Sequence, residues 1–100
     1  MGVFIATFSS DYERMALSDP ENMPLYQCTG TGTTMLANRL SYFFDLKGPS
    51  MVVNTACSGS LVALHLACQS IQSGESKSAI VGGANLILDP ASMASLSNLR

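Results

Sequence analysis

From residue 48 to residue 74 the chain carries no Asp, Glu, Lys or Arg. A charge-free run of that length belongs inside a bilayer or inside a protein. Pro49, Asn54, Ser58, Gly59, Ser60, His65, Gln69 and Gln72 interrupt it too often for a membrane span. It also divides into a β-like part and a helical part, so it reads as protein core. Met51, Val52 and Val53 are consecutive, which predicts a strand over 50–55 buried on both faces. Leu61, Val62, Ala63, Leu64, Leu66, Ala67, Cys68 and Ile71 predict a helix over 58–73, apolar nearly all round and packed on several sides, with His65 and Cys68 inside the packing. Gly74 is its natural stop. Residues 78–88 read as a second buried strand, in which Gly82-Gly83 permits close backbone approach. Strand, helix, strand in that order is one βαβ unit, with parallel strands and a right-handed crossover, and therefore an α/β layered fold.

The remainder is arranged around that unit. Residues 2–8 read as an N-terminal buried strand. Ser9-Ser10-Asp11 offers caps for a helix over 11–18, which Asp19-Pro20 ends. Residues 21–34 read as a loop containing Pro24 and a Gly30-Thr31-Gly32 turn. That turn lacks the third glycine and the Gly-Lys-Ser/Thr of nucleotide loops. Leu36, Leu40 and Phe43 recur at helical spacing and predict a helix over 33–45, stopped by Lys47-Gly48-Pro49. Arg39 and Asp45 are placed to pair locally on its surface, where a pair contributes little. A last helical stretch follows Asp89-Pro90 and runs to about 99.

Composition narrows the function. With 47% hydrophobic and 12% charged residues the chain is not disordered. Five Lys plus Arg and a net charge of −2 supply no basic face for nucleic acid. Eight of the charged residues lie in 1–47, so the second half is unusually apolar. A chain of 100 residues is one domain at most, and domains this small bury only about 60–70% of their unfolded surface. The arithmetic points to an excerpt from a larger core, or to a subunit of a tight oligomer, and to marginal stability alone because the sheet edges are unprotected. Met1 leads into Gly2-Val3-Phe4-Ile5-Ala6 without the basic region of a signal peptide, and Ala6 stands where a myristoylation motif needs Ser or Thr. A cytoplasmic setting with reduced thiols is expected. Cys28, Cys57 and Cys68 form no C-x-x-C pair, so no metal site is expected.

The chemistry concentrates in Asn54-Thr55-Ala56-Cys57-Ser58-Gly59-Ser60, where a buried strand hands over to a helix through small residues. A cysteine at such an elbow sits near the free N–H groups of a helix start, which favour a thiolate and can hold the oxyanion formed when a thioester carbonyl is attacked. Cysteine suits acyl transfer because it takes and releases acyl groups as thioesters. The same residues are equally compatible with a buried structural cysteine, and spacing alone leaves both open.

Those residues, with Leu61-Val62-Ala63-Leu64-His65-Leu66-Ala67-Cys68-Gln69-Ser70 and Gly74-Glu75, resemble the active-site block of β-ketoacyl synthases. More narrowly, they resemble the ketosynthase domain of iterative, reducing-type fungal polyketide synthases. Ser9-Ser10-Asp11-Tyr12, Thr29-Gly30-Thr31-Gly32, the block from Asn38-Arg39-Leu40 through Gly48-Pro49-Ser50, and Gly82-Gly83-Ala84-Asn85-Leu86-Ile87-Leu88 extend the likeness over almost the whole chain. The resemblance implies a partial thiolase-like α/β fold, an internal piece of the N-terminal half of the domain, and a homodimer with 50–55 and the preceding helix near its interface. It implies that Cys57 is the acyl-thioester nucleophile, with its backbone N–H in the oxyanion hole. The partners implied are acyl carrier protein, whose phosphopantetheine arm delivers acyl and malonyl thioesters, with no bound cofactor, no nucleic acid and no membrane. The reaction implied is decarboxylative Claisen condensation in polyketide or fatty-acid biosynthesis.

Two positions depart from the pattern. Asn54 stands where the family usually has Asp, removing a negative charge but keeping hydrogen-bonding capacity. Gly59 stands where it usually has Ser, loosening the helix start by up to roughly 1 kcal/mol. The family also uses two histidines from the later part of the domain. The one histidine here, His65, lies eight residues beyond Cys57, about 12 Å along a helix and about 80° round it, too far to serve. The chain by itself is thus expected to be inactive in condensation. Two other readings are a cysteine-dependent α/β-hydrolase-like thioesterase, and a non-enzymatic relic or dimerisation fragment.

Overall fold

Val3, Phe4 and Ala6 are buried in the first strand, and the sheet is built around them. The structure, a computed structural model, describes residues 1–99. Strand β1 (Gly2–Ala6) lies in the middle of a three-stranded sheet of order β2-β1-β3. Both neighbours, β2 (Ser50–Val53) and β3 (Ala79–Gly83), run parallel to it. The parallel βαβ unit is therefore present, but its two strands are not adjacent, because β1 fits between them. Consecutive apolar residues Val3, Phe4 and Ile5 suit that central place, since alternate side chains are covered on opposite faces.

The helices are α1 (Asp11–Leu17), α2 (Gln27–Thr31), α3 (Met35–Phe43), α4 (Gly59–Gln72) and α5 (Pro90–Ser97). On one face Phe4 and Ala6 pack with Ala63 and Ala67 of α4. Val3 and Ala37, both fully buried, mark packing of α3 against β1 and β2. Ser50 Oγ donates to Asn38 Oδ1 at 2.9 Å and accepts from Ser41 Oγ at 2.8 Å, pinning α3 to the edge strand. The α/β expectation of strand, helix and strand over 50–55, 58–73 and 78–88 is met by β2, α4 and β3, with ends that move inward.

Several expectations are corrected. The strand expected over 78–88 stops at Gly83, because the N–H groups of Leu88 and Asp89 leave the ladder and bond to the Asp11 carboxylate instead, at 3.0 and 3.2 Å. The strand expected over 2–8 ends at Ala6, although Thr7 N–H still donates to Val53 C=O at 3.0 Å. Residues 21–34 are not all loop. A 3₁₀ turn spans Pro20–Asn22, and α2 closes where Thr31 Oγ1 donates to Gln27 C=O at 2.9 Å. Gly30-Thr31-Gly32 is the end of that helix, and Cys28 lies within it, exposed. Strand β2 is an edge strand, so Met51 is exposed rather than doubly buried. Only Gly59, Ala63, Ala67 and Ser70 of α4 are buried, a single stripe facing the sheet. Leu61 is 72% exposed, and Cys68 and His65 face outward rather than into a core. Arg39 donates to Thr29 C=O at 2.9 Å, while Asp45 pairs with Lys47.

One buried carboxylate ties α1 to α5. Asp11 is 4% exposed and accepts, besides the two N–H groups, Ser92 Oγ and Arg14 Nη2, each at 3.4 Å. Arg14 also pairs with Asp89 at 2.5 Å. The Leu88 N–H bond chiefly holds the Asp11 carboxyl below its ordinary 3.8, against the opposing effect of desolvation. A carboxylate with a lowered folded value stabilises the fold above 3.8 and loses that contribution as pH falls through the folded value. The radius of gyration is 15.6 Å, against about 13 Å for a compact domain of this length. The described residues thus leave much apolar surface uncovered, including Tyr42, Phe43 and Leu61.

Ala63→Leu, which forces a larger side chain between α4 and Phe4, is expected to cost about 1–3 kcal/mol in denaturant melts. Asp11→Asn is expected to lower the melting temperature at neutral pH. The gap to the unsubstituted protein should narrow as pH is taken below 3.8, in melts recorded across that range.

Candidate functional site

Register decides where the loops gather. Ala6 pairs with Val53 on one side and with Gly83 on the other, so all three strands end level. Segments 7–10, 54–58 and 84–88 therefore leave the sheet from the same carboxyl edge, where open parallel sheets bind ligands. Segment 54–58 is the elbow. Strand β2 ends at Val53, Ser58 is the N-cap of α4, and Cys57 stands between them with its side chain exposed. The junction expected for Cys57 is the one observed.

Ala56, the residue before Cys57, has φ +52°. A side chain in that region costs roughly 1–2 kcal/mol, so the turn must be held from outside. Asn54 Oδ1 accepts from Ala56 N–H at 3.2 Å, and Ser58 Oγ donates to Thr55 C=O at 2.7 Å. Gly59 sits hard against the sheet. A Cβ there would lie 3.2 Å from Ala6 Cβ, and one at Gly83 would run into Ser60 Oγ. The expectation that Gly59 merely loosens the helix start is thus incomplete, because its missing side chain also lets α4 approach β1.

The N–H groups expected as oxyanion donors are only partly available. Ser58 N–H donates to Thr55 C=O at 3.3 Å and Gly59 N–H to Ala56 C=O at 3.1 Å. These two are spent inside the turn. No acidic residue lies in the first turn of α4, so nothing there opposes a negative charge at the helix start. His65 is exposed further along α4, and Cys28 and Cys68 lie on other elements or turns. The structure brings neither to Cys57.

Sequence reasoning missed the ties between the loops. Asn54 Nδ2 donates to Phe8 C=O at 3.2 Å, and Ser9 Oγ donates to Asn85 Oδ1 at 2.7 Å. The mixed donor and acceptor character of Asn was the available signal, but its partners are distant in the chain. A cavity of about 460 Å³ opens on the same edge, lined in part by Ile5, Thr7, Met35, Leu36, Arg39 and Leu86. The elbow residues do not line it. Among the described residues no helix is long and apolar enough to cross a membrane.

Comparison with known proteins places this geometry. Residues 1–100 match the family described as "Beta-ketoacyl synthase, N-terminal domain". A highly reducing polyketide synthase of Cryptosporiopsis sp. is 62% identical over 97 residues, covering 97% of this chain and 4% of its own. A partially reducing polyketide synthase of Talaromyces stipitatus is 56% identical over 98 residues, again covering 4% of its length. Among solved structures, an oxazolomycin ketosynthase domain of Streptomyces albus is 37% identical with a TM-score of 0.80, over 97% of this chain and 17% of that one. A ketosynthase from module 6 of the bacillaene synthase of Bacillus subtilis gives 36% and 0.81, over 97% and 15%. The fold is accordingly part of the thiolase-like fold of ketosynthases.

Replacing Ala56 by Gly removes the penalty of a side chain at positive φ. It is expected to raise stability by up to about 1 kcal/mol in denaturant melts.

Proposed function

This chain belongs to the β-ketoacyl synthase family, and on that premise we propose that Cys57 is the nucleophile that carries an acyl chain as a thioester. The observation that carries the reading is the elbow itself. An exposed cysteine follows a strained Ala56 and precedes the N-terminus of α4, at the edge where all three strands end.

In this reading the Cys57 sulfur attacks the carbonyl of an acyl thioester on the phosphopantetheine arm of acyl carrier protein. The new carbon–sulfur bond forms as the old one breaks, and the carrier thiol leaves with the proton. Cys57's own backbone N–H is the donor we assign to the oxyanion, since those of Ser58 and Gly59 are turned into the elbow. A malonyl thioester then loses carbon dioxide. Its carbanion attacks the acyl carbonyl, and Cys57 departs as thiolate, leaving a β-ketoacyl thioester two carbons longer.

The chain spans 4% of the first curated relatives it matches, so this is the chemistry of a larger protein. We assign the 100 residues to an internal piece of the N-terminal half of a ketosynthase domain, which works as a homodimer in the cytoplasm. The uncovered Tyr42, Phe43 and Met51 around α3 and β2 support a covered interface there. His65 cannot supply the histidine chemistry of condensation, so the 100 residues alone are proposed to be inactive in it.

The test is acylation of the intact protein by an acyl thioester of carrier protein, mapped by peptide mass spectrometry. The acyl group is expected on Cys57 and not on Cys28 or Cys68. Cys57→Ser should remove it and lower condensation more than about a thousandfold. Acylation spread evenly over the three cysteines, or retained activity in Cys57→Ser, would overturn the reading.

A further inference from the structure

We infer that the Ser58 hydroxyl is the staple of the elbow, reaching back across Cys57 to hold the Thr55 carbonyl and so keep the Cys57 N–H aimed at the reacting carbonyl. The inference rests on the reading of Cys57 as nucleophile and deepens it by naming a positioning residue. Ser58 is the N-cap of α4, where a serine oxygen usually accepts from an N–H of the first turn. Here it makes no such bond. Its Oγ donates instead to Thr55 C=O at 2.7 Å and lies 2.9 Å from Thr55 Oγ1. A serine has one hydroxyl hydrogen, and the shorter contact takes it, so the Thr55 hydroxyl is the donor between the two oxygens. The residues on either side of Ala56-Cys57 are thus joined through side chains.

The backbone of the turn holds itself less well. Ser58 N–H reaches the same Thr55 oxygen at 3.3 Å, beyond the range of about 2.7–3.2 Å usual for an N–H donor. Ala56 stands between at φ +52°, which its side chain disfavours, so the turn relaxes if its ends are released. Relaxation matters because of the next peptide. Ala56 C=O points into the start of α4, where it accepts Gly59 N–H at 3.1 Å. Across a trans peptide the C=O and the N–H point in opposite directions, and none of the described peptide bonds is cis. The Cys57 N–H is therefore turned away from Gly59, as a donor to an oxyanion outside the turn must be.

The staple acts on position and not on charge. Its hydrogen is spent on Thr55, so it does not stabilise a negative sulfur. Threonine at residue 58 carries the same hydroxyl and should serve, whereas alanine cannot. Rescue by threonine separates this role from packing.

The experiment follows two reactions of the intact protein, each read at Cys57 by peptide mass spectrometry. Acyl transfer from an acyl thioester of carrier protein needs the oxyanion donor, while alkylation by iodoacetamide needs only the thiolate. Ser58→Ala should slow acyl transfer about fivefold, the net worth of one hydrogen bond, and leave the alkylation rate and its pH profile unchanged. Ser58→Thr should restore acyl transfer. Thr55→Val, which keeps the shape and removes the second hydroxyl, should slow it by less, and it stands in if Ser58→Ala melts early. Acyl transfer at the unsubstituted rate in Ser58→Ala, or in Thr55→Val where that variant stands in, overturns the staple. An equal loss in both reactions, or a shifted alkylation profile, overturns it too, because the hydroxyl would then act on the thiolate. In each of those cases Cys57 is still acylated and the nucleophile reading stands. If the unsubstituted protein is not acylated at Cys57, the nucleophile reading fails and this inference with it.

Discussion

The structure depends on one strand finding a parallel partner on each side. Strand β1 is only five residues long, yet it pairs with β2 and with β3 in registers that bring Ala6 opposite both Val53 and Gly83. Everything at the candidate site follows from that level edge. Shifting either register by one residue would turn the pleat over, exposing Phe4 and Ala6 or separating the loops that now meet. Parallel pairing joins residues far apart in the chain, so the site is assembled from three separate stretches of sequence.

Small residues then set the distance between helix and sheet. Ala63 and Ala67 meet Phe4, while a Cβ at Gly59 or at Gly83 would lie 3.2 Å from that of Ala6, so the packing there is tight. Close approach lowers the first turn of α4 onto the ends of the strands, which leaves a short, tight path from Val53 to the helix. A tight path forces an unusual backbone angle, and Ala56 takes it. Packing in the core and strain at the elbow are thus two ends of one constraint, with Cys57 placed between them.

The uncovered apolar residues carry a separate lesson. Leu61, Tyr42, Phe43 and Leu25 are all more than 70% exposed. A surface of that kind is scarce on a free monomer. The chain spans 17% of a ketosynthase of known structure. The charge-poor second half needed cover, and the sheet and its two helices bury only one stripe of it.

Much of this was legible in the residues. Apolar runs, periodicity and stops placed β2, α4 and the start of β3 to within two residues, though not the end of β3, and the small residues around Cys57 marked the elbow, because these signals act between near neighbours in the chain. Membership of the ketosynthase family was legible too, from motifs spread over nearly all 100 residues. Strand order, the single buried stripe of α4, the outward turn of Cys68, the Asp11 clamp on Leu88 and Asp89, and the Asn54 bridge to Phe8 were decided only in three dimensions. Local propensity says that a segment will be a strand or a helix, but not which distant surface will cover it. A side chain with hydrogen-bonding capacity acquires its partner only when the backbone has already brought two remote loops to the same edge.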